Sequence, residues 1–228
     1  MRDASCKSKK SGDRKMRIKL NLVMIAVVLL SCAGSIFAQQ QRCVPPPPQM
    51  VAWFDFDASS GTIAGNRING GNVGTLTNGP TWGAGKVLNA LNFDGSNDFV
   101  QVADQPQLNF GDGNFSIDAW IKLDQQSGSG VKAIVDKRVG MGPGYMFFVY
   151  NGRLAVQLNT SGTGPNSGFY NYFASSTSTV VADGRWHHVA VTVNRSDQAG
   201  IVFYVDGAAS GTPSNPRNRM GNLNNTSP

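Results

Sequence analysis

From Met50 onward, short apolar runs alternate with turn residues at intervals of about 8–12, the spacing of a β-sandwich or barrel. Val51-Ala52-Trp53-Phe54-Asp55-Phe56 predicts a first strand, and Asn69-Gly70-Gly71-Asn72 a loop before a short strand over Gly74 to Thr77. Val87 to Phe93 and Phe99 to Val102 flank Asp94-Gly95-Ser96-Asn97, which reads as a hairpin-type turn. The clearest alternation is Phe115-Ser116-Ile117-Asp118-Ala119-Trp120-Ile121-Lys122. Successive strand side chains point to opposite sides, so Phe115, Ile117, Ala119 and Ile121 share one face. Ser116, Asp118, Trp120 and Lys122 share the other. Further strands are predicted over Ala133 to Asp136, Tyr145 to Tyr150, Leu154 to Leu158, Trp186 to Val193 and Ile201 to Val205. Asn151-Gly152 and Asp206-Gly207 each follow an apolar run, a strong two-residue turn signal. No segment repeats at a fixed period, and no helical periodicity follows the leader. The pattern is all-β.

Ahead of this pattern lies a segment of different character. Met16-Arg17-Ile18-Lys19 is a basic start, Leu20 to Leu30 an apolar stretch, and Gly34 to Ala38 a small-residue cleavage site before Gln39. The apolar stretch is shorter than the ~20 residues a membrane-spanning helix needs. The expectation is a signal peptide within residues 1–38, cleaved after Ala38, with Met1 or Met16 as the start. A lipoprotein box ending at Cys32 is the alternative, and both lead to a secreted or surface location. Residues 39–49, with Pro45-Pro46-Pro47-Pro48, read as a stiff linker, and residues 50–228 as the domain.

This division changes the meaning of the net charge of +6. Eight Lys/Arg and two Asp precede Gln39, leaving 20 − 8 = 12 basic against 14 − 2 = 12 acidic residues after it. A formally neutral domain lacks the electrostatic footprint of a nucleic-acid binder. Of the three cysteines, Cys6 and Cys32 lie in the leader, so Cys43 alone remains after cleavage. An odd thiol is unusual in an oxidising compartment.

Taken in order, several stretches resemble the LamG-like jelly-roll domains of bacterial exported proteins, in the concanavalin A-like lectin/glucanase superfamily. They are Val51 to Asp57, Leu91 to Val100, Phe115 to Ile121, Ile134 to Lys137 with Gly144-Tyr145, Trp186 to Thr192, and Phe203 to Gly207. The resemblance spans Met50 to Gly211. It implies two antiparallel sheets packed face to face, with rim loops open to ligands or calcium. It also implies a closing pair of strands beyond the segment that ends at Pro228. In similar domains a cysteine before the Pro-rich lead-in can pair with one beyond the last strand, which suits Cys43.

Candidate chemistry is sparse. Glucanases of that superfamily use paired glutamates on one strand, and retaining chemistry needs two carboxyls roughly 5 Å apart. This chain has no glutamate. Asp55 and Asp57 are the one i, i+2 aspartate pair on a strand face and read as structural, so no catalytic residue is assigned. His187 and His188 are strand neighbours whose rings face opposite ways, which precludes a shared metal ion. They read as packing and hydrogen-bonding residues, without the nucleophile context of a catalytic triad.

Calcium suits the oxygen-rich loops better than zinc. Asp94, Asn97 and Asp98 are the candidate ligands, set against a reading in which Asp94 and Asn97 merely stabilise their own turn. For ligand contact, Asn166, Tyr170 and Tyr172 lie in a Gly/Asn-rich loop and the aromatic run after it, against an ordinary half-buried aromatic strand. Trp82 reads as a loop aromatic, and Trp53, Trp120 and Trp186 as core.

The expected function is a secreted or surface-exposed, non-catalytic binding module for carbohydrate or extracellular matrix protein. Calcium is a candidate cofactor, and no nucleic acid or transmembrane helix is expected in the mature chain. A structural or adhesive spacer in a larger surface protein is the alternative, with a glycoside hydrolase ranked below both.

Overall fold

The computed structural model describes residues 45–124, 129–140, 142–160, 171–174, 180–216 and 221–228. Contacts divide the chain into Met1–Pro48 and Gln49–Pro228. The leader, both its proposed cleavage points and Cys43 lie outside the described residues. The second unit is built from β-strands, with no α-helix among the described residues.

Two four-stranded antiparallel sheets carry the core. One orders β10 (Asn171–Ala174), β9 (Arg153–Asn159), β8 (Gly144–Tyr150) and β7 (Val131–Arg138). The other orders β13 (Ala208–Ala209), β12 (Ile201–Val205), β11 (Trp186–Val193) and β6 (Phe115–Lys122). Their inward positions form one cluster: Tyr145, Phe147 and Val149 from β8, Leu154, Val156 and Leu158 from β9, and Val189, Val191 and Val193 from β11. Ile201, Phe203 and Val205 of β12 complete it with Phe115. Period-two alternation explains this, since every second residue of β11 and β12 is buried and each one between is half-exposed. Burying such side chains is the main favourable term in folding, about 25 cal/mol per Å² of apolar surface.

The hairpin signals are realised where two successive positive φ angles are available. Asn151 (φ 48°) and Gly152 (φ 77°) join β8 to β9, and Asp206 (φ 51°) and Gly207 (φ 82°) join β12 to β13. Both are the turn geometry whose twist matches flanking strands.

The region before residue 103 departs from expectation in part: Gly74 to Thr77 and Phe99 to Val102 form the predicted strands, while the segments around them differ. Val51 to Phe56 forms no strand, only a single antiparallel bridge between Phe54 and Asn66. Phe56 has φ 54°, which takes the backbone out of the extended region, and the Asn66 side chain accepts the Trp53 N–H instead of a ladder partner. β1 (Ile63–Ala64), β2 (Gly74–Thr77) and β5 (Phe99–Val102) make a small sheet, and β3 (Thr81–Ala84) pairs with β4 (Asn89–Asn92). Trp82 therefore sits in a strand, not a loop. The predicted Val87 to Phe93 strand is shorter because Leu88, at φ 51°, belongs to the β3–β4 turn.

The Asp94 to Asn97 segment is likewise not a hairpin. It links β4 to β5, which pair with β3 and β2 respectively. Gly95 supplies a positive φ (77°) for the reversal, but the flanking strands take other partners and side chains close the loop.

The last described segment is anchored. Leu223 joins the core, and its N–H donates to Gly111 O at 2.9 Å. Lys137 is buried, its ammonium 2.9 Å from Asp104 Oδ1, 3.1 Å from Asn225 Oδ1 and 2.6 Å from Ser227 O. Asn225 Nδ2 donates to Lys137 O and Pro143 O. Gly144 makes this approach possible, because a Cβ there would lie 2.0 Å from Lys137 O.

Candidate functional site

The two histidines decide where the polar chemistry of the sandwich lies. β11 pairs with β6 so that His188 opposes Trp120, Trp186 opposes Lys122 and Ala190 opposes Asp118. Alternation then sends His187 inward to the rim of the core and His188 onto the open face.

His187 is buried and uses both ring nitrogens, Nδ1 2.8 Å from Asp206 Oδ2 and Nε2 3.1 Å from Asp183 Oδ1. Burial pulls its pKa down, but the hydrogen bonds and charges of the two carboxylates more than offset this, so it lies above the ordinary histidine value. Asp206 is held below the usual carboxylate range by the hydrogen bond from His187 and that from the His188 N–H. Asp183 is held low by the Arg185 N–H first, then by His187. The pairing ties the segment before β11 to the β12–β13 turn, and leaves His187 no lone pair for substrate or metal.

His188 has a different setting. Its Nε2 is 3.2 Å from Asp118 Oδ1, and its ring lies 5.4 Å from the Trp120 ring at 59°. Trp120 is 47% exposed, and the Lys86 ammonium sits 5.3 Å over its ring. Half-buried Trp186 and Tyr204 lie on the same face, Tyr204 beside Ala190. The result is an open sheet face carrying tryptophan, histidine and tyrosine around a small residue. Its lip is the β3–β4 turn, closed by Gly85 N–H to Leu88 O at 3.0 Å. Reading Trp120, Trp53 and Trp186 as core is therefore corrected, Trp186 being half-buried on the open face. Trp120 lies on the strand face opposite Phe115 and Ile117, and Trp53 is 42% exposed beside a segment that pairs at one bridge only. The signal for Trp120 was present in the sequence: it alternates with apolar residues and shares its face with Ser116, Asp118 and Lys122.

The other predicted residues fall elsewhere. Asn166 and Tyr170 lie outside the described residues. Tyr172 is on β10, opposite Gln157 of β9, and its side chain also lies outside the described residues. In the rim turn, Asp94 Oδ1 accepts the Ser96 N–H at 2.8 Å and Asp98 Oδ2 accepts the Asp94 N–H at 3.1 Å. Asn97 offers its backbone oxygen to Asn78 Nδ2 at 2.8 Å. Asp98 Oδ1 is shielded from solvent without a hydrogen-bond partner among the described residues. Two of the candidate calcium oxygens are thus already engaged in shaping the turn, and one is spare. No group of three or more His, Cys, Asp or Glu among the described residues could hold a metal ion.

Asp55 is engaged in an ion pair with Arg67, while Asp57 is pushed up by burial and by the Asp55 charge. Asn89 Nδ2 donates to the backbone oxygen of Asp57 at 3.1 Å, so this pair joins the β4 strand to the segment before β1.

A laminin G family model, described as concanavalin A-like lectin/glucanases superfamily, matches residues 94–228. The chain belongs to this family. Among curated proteins none matches it. Among solved structures it is similar to the binding domain of Paraclostridial Mosquitocidal Protein 1, at 16% identity and a TM-score of 0.57, over 72% of this chain and 40% of that one. The chain thus spans well under half of that neighbour's length. A second similar structure is an S-layer domain-containing protein (residues 221–444) from Clostridium thermocellum ATCC 27405, at 23% identity and a TM-score of 0.44, over 72% of this chain and 74% of that one. At such identities the first likeness concerns the fold alone. The match covers β5 through the anchored segment after β13, the part of the chain that holds both core sheets and the open aromatic face. Among the described residues no helix is long and apolar enough to cross a membrane.

Proposed function

We propose that the chain is a non-catalytic binding module of an exported protein, and that the outer face of β6, β11 and β12 receives a carbohydrate ligand. The exposed Trp120 carries this reading. Its indole packs against the tilted His188 ring, and His188 is itself hydrogen-bonded to Asp118. Aromatic side chains on a rigid scaffold give large contact area at low entropic cost, which suits the apolar faces of sugar rings. The lectin members of the superfamily support the same ligand class. The absence of glutamate, and the engagement of Asp55, Asp183 and Asp206 in ion pairs, support binding without hydrolysis.

The test is a glycan array with the full chain, followed by calorimetry on Trp120→Ala. Saturable binding that this substitution weakens about tenfold or more, with unchanged melting, supports the reading. A blank array over an intact fold rejects it.

Calcium at Asp94, Asn97 and Asp98 belongs to the same proposal as a structural aid to the rim. EDTA is expected to lower the melting temperature, and Asp94→Ala to remove that sensitivity. Identical melting with and without chelator assigns the turn to its internal hydrogen bonds alone.

A further inference from the structure

The charges on the open face are distributed unevenly. Three carboxylates are hydrogen-bonded to imidazoles: Asp118 to His188 at 3.2 Å, Asp183 to His187 at 3.1 Å and Asp206 to His187 at 2.8 Å, while exposed Asp124 follows two residues after Lys122. The cations are not so committed. Lys86 lies over the Trp120 ring, and Lys122 stands opposite Trp186 in the ladder. Arg185, adjacent to Trp186, is 82% exposed, with its nearest carboxylate oxygen at 3.9 Å. Among the described residues no carboxylate lies within 4.0 Å of Lys86 or Lys122. Each tryptophan of this face therefore has a lysine beside it that makes no ion pair within 4.0 Å among the described residues.

Geometry adds the second half. Trp120 opposes His188, and Trp186 is two residues further along β11 on the same face. The two indoles are thus diagonal neighbours, with Cα atoms about 7–8 Å apart, a step that successive rings of a sugar chain can span. Among the described residues Lys86 is held by the ring quadrupole, an interaction weaker than a charge-assisted hydrogen bond to a carboxylate. A carboxylated ligand would draw it off the indole and uncover the ring for stacking.

We propose that this face binds an acidic polysaccharide, a chain of uronic acids whose rings pack on Trp120 and Trp186 and whose carboxylates meet Lys86, Lys122 and Arg185. The inference rests on the binding-module reading and adds the charge of the ligand to it. A cationic ligand is disfavoured by the same three side chains. A nucleic acid would need a longer track of cations than a formally neutral domain offers.

The experiment compares polygalacturonate with its fully methyl-esterified form, titrated into the full chain at fixed ionic strength. The expected result is saturable binding of the acid, at least about tenfold tighter than of the ester. Lys86→Gln should lower affinity for the acid several-fold and should not lower that for the ester, since it uncovers the indole, and Trp120→Ala should weaken both. Lys132→Gln on β7, remote in the ladder from this face, is the control for diffuse attraction, including that of the basic leader, and should change nothing. Each variant is accompanied by a thermal melt to confirm folding. Equal affinity for acid and ester would overturn the charge assignment while leaving the binding-module reading standing, as would an equal loss from Lys132→Gln and Lys86→Gln. Binding of neutral glycans on the array with none of polygalacturonate would overturn it too. Failure of every glycan would reject both.

Discussion

The two faces of the β6–β11–β12 sheet are built from alternate residues of the same strands, yet they obey different rules. On the inner face, Val189, Val191, Val193, Phe203 and Val205 are sealed against β8 and β9. There the side chains are interchangeable in chemistry and constrained in volume, as close-packed interiors require. On the outer face Trp120, His188, Trp186 and Tyr204 remain at least partly exposed, and His188 is placed by its contacts with Asp118 and Trp120. The contrast shows that a tryptophan in a regular strand is no sign of core. Its parity along the strand decides.

The sharpest way to break this contrast is to empty the inner face. Phe203→Ala, at a site 1% exposed, is expected to cost roughly 4 kcal/mol, measured by denaturant unfolding. A loss below about 1 kcal/mol would mean the two sheets are not packed as described. Lys137 tests whether the rule of the interior extends to a buried charge at its edge. Lys137→Ala leaves Asp104, Asn225 and Ser227 without their shared donor, and is expected to cost roughly 3 kcal/mol. Amide exchange should rise selectively around Leu223 to Ser227.

His187 stands between the two faces, and its effect depends on pH. Its folded pKa is raised, so its contribution is fully present below its unfolded value near 6.5 and is lost as pH rises through the folded value. Asp183 and Asp206 are lowered, so theirs is present above the ordinary carboxylate pKa and lost as pH falls through their depressed values. Stability should therefore be greatest in the mildly acidic range and decline on the alkaline side. His187→Gln should flatten that alkaline decline, and an unchanged slope in melting temperature against pH would remove the ion pairs from the account. The smallest effect is expected on the outer face itself. Trp120→Ala should change stability by less than about 0.5 kcal/mol while weakening ligand binding about tenfold or more. A large loss of stability would make Trp120 part of the core after all.

Much of the sandwich was legible because its strands are amphipathic with period two. Phe115 to Lys122 and Trp186 to Val193 could be placed almost to the residue, and Asn151-Gly152 marked its hairpin because few pairs tolerate two positive φ angles. The region before residue 103 was less so. Its apolar residues include Ile63, Val73, Val87, Leu88, Phe93 and Phe99, all largely exposed, so hydrophobicity there did not signal burial. The Asp94 to Asn97 turn misled for a related reason. Turn residues report a local reversal, not which strands pair across it.

The sequence by itself determined the all-β class, the near-neutral charge of residues 39–228, the opposed directions of His187 and His188 and the lack of a glutamate pair. These follow from composition and from the two-residue period of an extended chain, both of which are local properties. Only the tertiary structure decided that Asp183 and Asp206 both grip His187, that Lys86 lies over Trp120, and that Lys137 clasps Asn225 and Ser227. Those groups are brought together by strand order and loop path. Contacts of that kind depend on which strands become neighbours, and no pattern along a single strand encodes its neighbour.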